Sequence, residues 1–304
     1  MDKKIAVTGA TGFLGKRLCE KLLLENNKVI AVSRSIKKAK MIIPNAFKYY
    51  EWNYKDVPAF IEECDFVIHL AGENIMAKRW TEEHKKNVIE SRTLSTKALI
   101  EGIELSKQKP SSFICASGIN YYGDSILPVD ESSPKGTGFL SEVVDLWEKE
   151  AAEVEKFGVR RVSLRTGIVL DKYDGALRKM ILPFLYFLGG PIGSGKQWFP
   201  WIHIEDYLEI IKYVLENSNL KGPINVVAPN PVQNEIFSKV LGNVLKRPSV
   251  FRVPESVLKI ILGESSEAIL TGVNAVPKKL IESGYKLKYD KIETALKDLL
   301  QYKV

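Results

Sequence analysis

The order of segments predicts an α/β protein, a doubly wound parallel sheet followed by a smaller, mostly helical C-terminal substrate lobe. Three observations lead there. Short apolar runs alternate with helix-period segments through the first two thirds of the chain, as in repeated β-α units. A glycine-rich turn joins the first run to the first helix, and after about Asp171 the pattern becomes irregular, with glycine and proline loops.

KIAVTG reads as the first strand. FLGKRLCEKLLLEN carries Leu14, Leu18 and Leu22 at helical spacing, a helix with one buried face. VIAVSR, FKYYEW and DFVIHLAG read as strands two to four, each flanked by turn or charged residues. Thr81 to Lys107 is a long helix with Thr81 as N-cap and a stripe of Val88, Leu94, Ala98 and Ile103. SSFICASG is strand five, Leu140 to Phe157 a helix stopped by Gly158, and VRRVSLRTGIVL strand six. This is the order of a doubly wound nucleotide-binding sheet. Beyond it, a helix spans Asp206 to Glu216, GPINVVA is a strand, and the chain from Pro231 onward is helix-rich. The boundary falls at 170/171: residues 1–170 form a nucleotide-binding domain and 171–304 a substrate-binding lobe, some of whose segments can return to the main sheet.

Composition narrows the function classes. At 304 residues, 45% hydrophobic and 27% charged, the chain is neither disordered nor fibrous. Three scattered cysteines (Cys19, Cys64, Cys115) support neither a disulfide framework nor a zinc site, so no metal is expected. Lys and Arg exceed Asp and Glu by 44 to 37, a net +7, but no basic run interleaved with aromatics appears, which argues against nucleic acid. The apolar stretch MILPFLYFLGGPIGSG is broken by Pro183 and Gly189-Gly190-Pro191, too interrupted to span a bilayer. The opening MDKKIAVTGATG lacks the apolar core of a signal peptide, so a cytoplasmic location is expected. A homodimer stays open.

Gly9, Gly12 and Gly15 in GATGFLG lie between strand one and helix one, the context that makes a glycine pattern specific for a dinucleotide. Gly9 permits the tight turn, Gly12 the approach of backbone to the diphosphate, and Gly15 close helix-on-strand packing, while the helix N-terminus offers N–H groups to phosphate. The cofactor-binding set is Gly9, Thr11, Gly12, Phe13, Leu14, Gly15, Ser33, Arg34, Leu70, Ala71 and Gly72. At the end of strand two, where an NAD site carries an acidic residue, the chain has Ser33-Arg34-Ser35, followed by Lys37 and Lys38. A guanidinium pairs with a 2′-phosphate that a carboxylate would repel, so NADP(H) is favoured over NAD(H).

These residues, with HLAG (69–72), YYGD (121–124), LRTGIVL (164–170) and WIHIED (201–206), resemble the extended short-chain dehydrogenase/reductase superfamily, the NAD(P)-dependent epimerase/dehydratase-like Rossmann proteins. GENIMAKRWT, SGINYYGD, GGPIGSGKQWFPWIHIEDY and the helical C-terminal lobe look like its "epimerase family" branch, which ends in a domain of unknown function. The resemblance implies a serine or threonine after strand five and a YxxxK pair on the next helix, the tyrosine as general acid/base. Here Leu140 and Val144 stand where that pair is expected, and the hydroxyl position falls on Gly118. A one-residue loop adjustment would restore Ser117.

The candidate catalytic residues are therefore Ser117, Tyr121 and Tyr122, with loop packing the plainer role for the tyrosines. His69, His203 and Asp206 read as structural. Glu73, Asn74, Trp80, Trp198, Phe199 and Trp201 are the substrate-pocket candidates, the tryptophans equally compatible with ordinary packing. Phe199 takes the place where the resemblance implies a diphosphate-binding arginine, which argues for a compact uncharged or aromatic substrate over a nucleotide sugar. The expected function is an NADP(H)-dependent oxidoreductase or epimerase-like enzyme acting by hydride transfer on a small molecule. The alternative is a non-catalytic NADP(H)-binding redox-sensing or regulatory protein.

Overall fold

The computed structural model of the chain describes residues 3–54 and 56–301. The first half comprises β1 (Lys4–Thr8), α1 (Phe13–Leu24), β2 (Lys28–Ser33), α2 (Ile36–Ile42), β3 (Lys48–Glu51), β4 (Phe66–His69), α3 (Glu82–Leu105), β5 (Ser112–Gly118), β6 (Ser125–Val129) and α4 (Phe139–Ala152). It continues through β7 (Arg160–Thr166), β8 (Ile168–Leu170), α5 (Gly175–Leu185), β9 (Trp198–Phe199), β10 (Trp201–His203), α6 (Ile204–Glu216) and β11 (Gly222–Val226). The end of the chain adds β12 (Val232–Gln233), α7 (Asn234–Leu245), α8 (Glu255–Leu262), α9 (Glu267–Leu270), β13 (Val273–Ala275), α10 (Lys278–Glu282) and α11 (Ile292–Leu300).

Among the described residues, seven strands form one parallel sheet in the order β11-β7-β5-β4-β1-β2-β3. Strand order reverses between β1 and β4, and the crevice beyond the carboxyl ends of strands at such a point is where doubly wound sheets take ligands. The apolar strands are sandwiched. On one face Ile5, Val7 and Ala31 pack with Leu18 and Leu22 of α1 and with Leu208 and Ile211 of α6. On the other, Ala6, Val67 and Phe113 pack with Leu99 and Ile103 of α3 and with Trp147 of α4. Segments from beyond residue 171 complete this body, since α6 covers one face and β11 adds the edge strand. A separate apolar cluster joins α5, α7 and α11.

Two expected elements differ in detail. The sixth predicted strand, 159–170, divides at Gly167, where a Cβ would sit 2.4 Å from the Pro200 carbonyl oxygen. The chain bends there, so β7 stays in the sheet while β8 pairs with β10. In α3, capped by Thr81 as expected, Leu94 is 48% exposed and leaves the stripe. The buried face runs instead through Val88, Ser91, Ser95, Ala98, Leu99, Gly102 and Ile103. The helix faces the sheet partly with small polar residues, because their hydroxyls find buried partners that a hydropathy pattern does not register.

One such partnership fixes the end of β4. His69 is fully buried, its Nδ1 2.7 Å from Thr8 Oγ1 and its Nε2 3.1 Å from Ser95 Oγ. Burial, with Arg92 adding to it, pushes the ring down to about 3. His203 caps α6, its Nδ1 accepting from Glu205 N–H at 3.1 Å, and stacks on Tyr289 at 3.8 Å; burial lowers it to about 4. Both histidines stay neutral in the fold, whereas an unfolded histidine takes up a proton near pH 6.5. Below that pH the unfolded state binds more protons, so stability falls as pH drops from about 6.5 towards the folded values. Urea unfolding at a series of pH values should show this decline. The decline should be shallower in His69→Gln by up to about 1.4 kcal/mol per pH unit, and an unchanged slope would remove His69 from the account.

Candidate dinucleotide site and the buried network beside it

Gly9, at φ 68°, turns the chain so that its own Cα passes the next strand closely: a Cβ there would sit 2.9 Å from Ala71 N. At Gly15 a Cβ would lie 2.2 Å from the Gly9 carbonyl oxygen, so only glycine lets α1 start this close to β1. Gly12 is the N-cap of α1 and supplies no side-chain cap, and the first turn carries no acid. The N–H groups of that turn, with the positive end of the helix dipole, therefore face the crevice. Phe13 and Leu14 open α1 and are half-buried. The Phe13 ring packs against Gly175 and Leu14 against the core.

The crevice is a cavity of about 230 Å³ whose wall includes Gly9, Thr11, Gly12, Ser33, Arg34, Leu70, Ala71 and Gly72, all expected from sequence. Glu73, expected on the substrate side, lies on this same wall. Lys38, noted in the sequence beside Arg34, also lines the wall, as do four residues not singled out, Val32, Trp52, Tyr54 and Ser91. Trp52 and Tyr54 follow β3, and the rule that ligands sit beyond strand ends was the signal that could have found them. At the end of β2, Ser33 Oγ lies 3.2 Å from Thr11 Oγ1, and Ser35 Oγ accepts from Lys38 N–H at 3.3 Å as the N-cap of α2. Arg34 and Lys38 are exposed. Neither makes an ion pair or side-chain hydrogen bond among the described residues, so both cations are available to a phosphate. The cradle, the uncapped helix and these cations fit a phosphorylated dinucleotide.

The catalytic candidates lie farther along the sheet, where Ser117 and Tyr122 have hydrogen-bond partners. β5 and β7 pair without a break from Ser112↔Arg160 to Gly118↔Thr166. Ser117, Arg165 and Asn225 are register neighbours on β5, β7 and β11. Ser117 Oγ donates to Glu148 Oε1 at 2.6 Å, and Arg165 grips the same carboxylate through Nε (2.8 Å) and Nη2 (2.7 Å). Arg165 Nη1 donates to Tyr122 OH at 2.9 Å, which donates to Asn225 Oδ1 at 2.8 Å. Burial pushes the Tyr122 phenol up to about 12 against the pull of Arg165. Burial alone would pull Arg165 down, yet its bonds to Glu148 hold it above the ordinary arginine value.

Ser117 and Tyr122 are thus spent within a buried network. Tyr121 differs: its half-buried ring lies over the Arg165 guanidinium at 3.4 Å, and its hydroxyl has no partner among the described residues. Leu140 and Val144 are buried, with Val144 Cγ2 3.3 Å from where a Gly118 Cβ would be, so apolar packing fills the place of the proton-transferring pair.

The aromatic pocket is also corrected. Trp201 is fully buried, and Phe199 stacks on Phe237 at 4.1 Å, both inside the apolar cluster of α5, α7 and α11. Neither presents a face to a ligand. Trp80 is nearly buried, its ring 5.0 Å from Phe139 and its Nε1 donating to Ile75 O. Trp198 is half-buried and donates to Ile126 O. Asn74 closes a turn through Oδ1, which accepts from Met76 N–H. His203 and Asp206 are structural, Asp206 accepting from the backbone of Lys288 and Tyr289.

The sheet order and the glycine cradle define a dinucleotide-binding Rossmann protein of the extended short-chain dehydrogenase/reductase type. The chain belongs to the epimerase family: residues 5–144 match the NAD dependent epimerase/dehydratase family, and residues 253–299 match a C-terminal domain of unknown function. The Bacillus subtilis epimerase family protein YfhF is 39% identical over 97% of both chains. The chloroplastic SDR39U1 homologue of Arabidopsis thaliana is 39% identical over 98% of this chain and 86% of its own. A crystal structure of human epimerase family protein SDR39U1 (isoform 2) with NADPH superimposes with a TM-score of 0.86 at 33% identity, covering 97% of this chain and 98% of that one.

Among the described residues no helix is long and apolar enough to cross a membrane. Removing Glu148 strands the Arg165 charge in a buried site. Glu148→Ala should cost about 3–5 kcal/mol of unfolding free energy, measured by chemical denaturation, and Arg165→Met/Glu148→Leu together should cost less than Glu148→Ala alone.

Proposed function

We propose that this chain is an NADP(H)-dependent oxidoreductase or epimerase-like enzyme that acts on a small molecule by hydride transfer. The observation that carries the reading is the wall at the end of β2, where Arg34 and Lys38 stand uncommitted beside Ser33 and Thr11, opposite the uncapped start of α1. The NADPH present in the human relative's structure supports it. When bound, the cofactor supplies the hydride, and the protein supplies binding, orientation and exclusion of water. Of the three hydroxyls expected from sequence, that of Tyr121 is the one free to hold or move a proton, and Arg165 fixes its ring.

The proposed substrate is compact and uncharged. Phe199 is locked in its stack with Phe237, so the position that the superfamily resemblance assigns to a diphosphate-binding arginine offers no donors. Burying a diphosphate there unpaired would cost several kcal/mol per charge. A reducing compartment such as the cytoplasm belongs to the same reading, since Cys19, Cys64 and Cys115 are free and buried. The second reading, an NADP(H)-binding protein without turnover, is favoured by one observation: Leu140 and Val144 are buried apolar residues and Ser117 is tied to Glu148.

Calorimetric titration should show NADPH binding about tenfold or more tighter than NADH, about 1.4 kcal/mol. Arg34→Ala with Lys38→Ala should erase that preference while sparing NADH, and equal affinities in the unaltered protein would refute the NADP(H) assignment. NADPH oxidation against small quinones, ketones and aromatic aldehydes tests turnover. It should persist in Ser117→Ala and fall at least ~tenfold in Tyr121→Phe, in the range of general acid catalysis. Silence across the panel with tight NADPH binding selects the second reading, and micromolar, diphosphate-dependent binding of a UDP- or dTDP-sugar overturns the uncharged-substrate proposal.

A further inference from the structure

The excess positive charge of the chain is concentrated in two stretches. Of the 44 basic residues, seven lie in residues 175–204 and 236–254, which hold no Asp or Glu, and the other 37 basic residues balance the 37 acidic ones. The fold brings these stretches together. α5 and α7 share an apolar cluster through Leu177, Phe184, Phe237 and Leu241. The chain after α5 then runs beside the chain after α7, where Phe251 N–H donates to Gly189 O and Val253 N–H to Pro191 O, both at 3.0 Å. One of the seven cations, Arg252, is turned onto the carbonyls of Gly193 and Ser194 and onto Glu235. Arg178 and Lys179 on α5 and Lys246 just after α7 are exposed, and none of them makes an ion pair among the described residues.

Between these cations the surface is apolar. On α5, Leu182 and Leu185 follow Arg178 at helical spacing on one exposed face. Tyr186, Phe187 and Leu188 come next, each more than half exposed, and Val250 and Phe251 on the adjoining segment are more than half exposed as well. Single exposed apolar residues are ordinary, whereas a contiguous group marks an interaction site. Phe187 is also held in a strained backbone. α5 ends in a Schellman turn, with Phe187 N–H donating to Phe184 O at 2.9 Å and Leu188 N–H to Pro183 O at 2.8 Å, and Phe187 takes the left-handed position at φ 61°. Glycine is the residue that fills this position without strain, and a bulky side chain there is an outlier. The ring is half exposed and carries the Arg247 guanidinium 4.6 Å from its centroid.

We propose that this face, formed by α5, the turn at Phe187 and the end of α7, is a docking surface for an anionic lipid bilayer. The stretch that is too interrupted to span a membrane lies on one instead. In such an interface apolar side chains sink about 5–10 Å into the headgroup boundary while Lys and Arg reach back to the phosphates. Charge selects this occupant. A second copy of the chain, bound through the same patch, would set these cations against themselves. A nucleic acid is held through phosphates and base edges and would leave Leu182, Leu185 and Leu188 unmatched. The proposal goes beyond the cofactor reading and does not rest on it.

The test is co-flotation of the full chain with vesicles of phosphatidylcholine alone and of phosphatidylcholine and phosphatidylglycerol in equal parts. The chain should float with the mixed vesicles and not with the neutral ones. Lys179→Glu with Lys246→Glu should weaken that binding by about tenfold or more. The same charge change at α3, Lys97→Glu with Lys107→Glu, should leave it within about twofold, because exposed charges beyond a Debye length are screened. Phe187→Gly should weaken binding severalfold without lowering the melting temperature, since glycine relieves the left-handed position. Leu188→Ser serves the same comparison if Phe187→Gly melts lower. Absence of flotation with the mixed vesicles overturns the proposal, as does equal flotation with neutral ones. So does an equal loss in the α3 pair, which would mean attraction by net charge alone, or undiminished binding in both apolar variants. A dimer in sedimentation that Phe187→Gly dissociates would assign the face to a second copy. Binding of duplex DNA that Lys179→Glu with Lys246→Glu abolishes, without vesicle binding, would assign it to nucleic acid.

Discussion

The buried pair of Arg165 and Glu148 is the interaction on which the two parts of this protein depend. Arg165 stands on β7 between β5 and β11, so one guanidinium bonds Glu148 on α4 and Tyr122 after β5, and Tyr122 carries the contact on to Asn225 of β11. Asn225 in turn donates its backbone N–H to Glu131 Oε1 at 3.0 Å and its side-chain amide to Val276 O at 2.9 Å. The chain of bonds thus runs from α4 across three strands to the segment that enters α10. Arg165, Tyr122, Asn225 and Glu131 are buried, Glu148 is largely so, and each is partnered; such networks are costly when a member is left out.

That constraint also explains the chemistry of the site. A serine and a tyrosine that sequence reasoning marks as proton carriers are consumed as partners of the ion pair. The tyrosine left free, Tyr121, has its ring pinned on the outer face of the same guanidinium. The network has taken the middle of the sheet for structure, and the place opposite, at Leu140 and Val144, is apolar.

Arg160, Arg165 and Arg92 show how differently one side chain is used. Carbonyls and a hydroxyl satisfy Arg160, and a carboxylate and a phenol satisfy Arg165. Arg92 has the π-face of Trp147 and the carbonyl of Val88, and it packs against Gly72. The same contrast holds on the surface, where Lys21, Lys85 and Lys288 are paired with glutamates while Arg34 and Lys38 at the end of β2 are not.

Much of the cofactor site was legible in the sequence because its logic is local. Gly9, Gly12 and Gly15 act through backbone conformation and the absence of a Cβ, and Ser33-Arg34-Ser35 sits one strand and one turn later, so spacing alone defines them. The alternation of apolar runs and amphipathic helices likewise specified the sheet, since strands buried on both faces have to be apolar throughout. The absent YxxxK pair was visible as Leu140 and Val144. What the sequence could not decide was facing. Strand side chains alternate, so a shift of one residue decides whether Ser117 meets a ligand or Glu148, and that register is set by pairing with β7, some fifty residues on. Phe199 and Trp201 are aromatic in either environment, and only the packing of α5, α7 and α11 over them made them core. Arg92 carries no signal in the sequence beyond lying within the long helix of 81–107. Its burial and its packing against Trp147 and Gly72 arise where α3, α4 and the end of β4 meet, a juxtaposition that exists only in three dimensions.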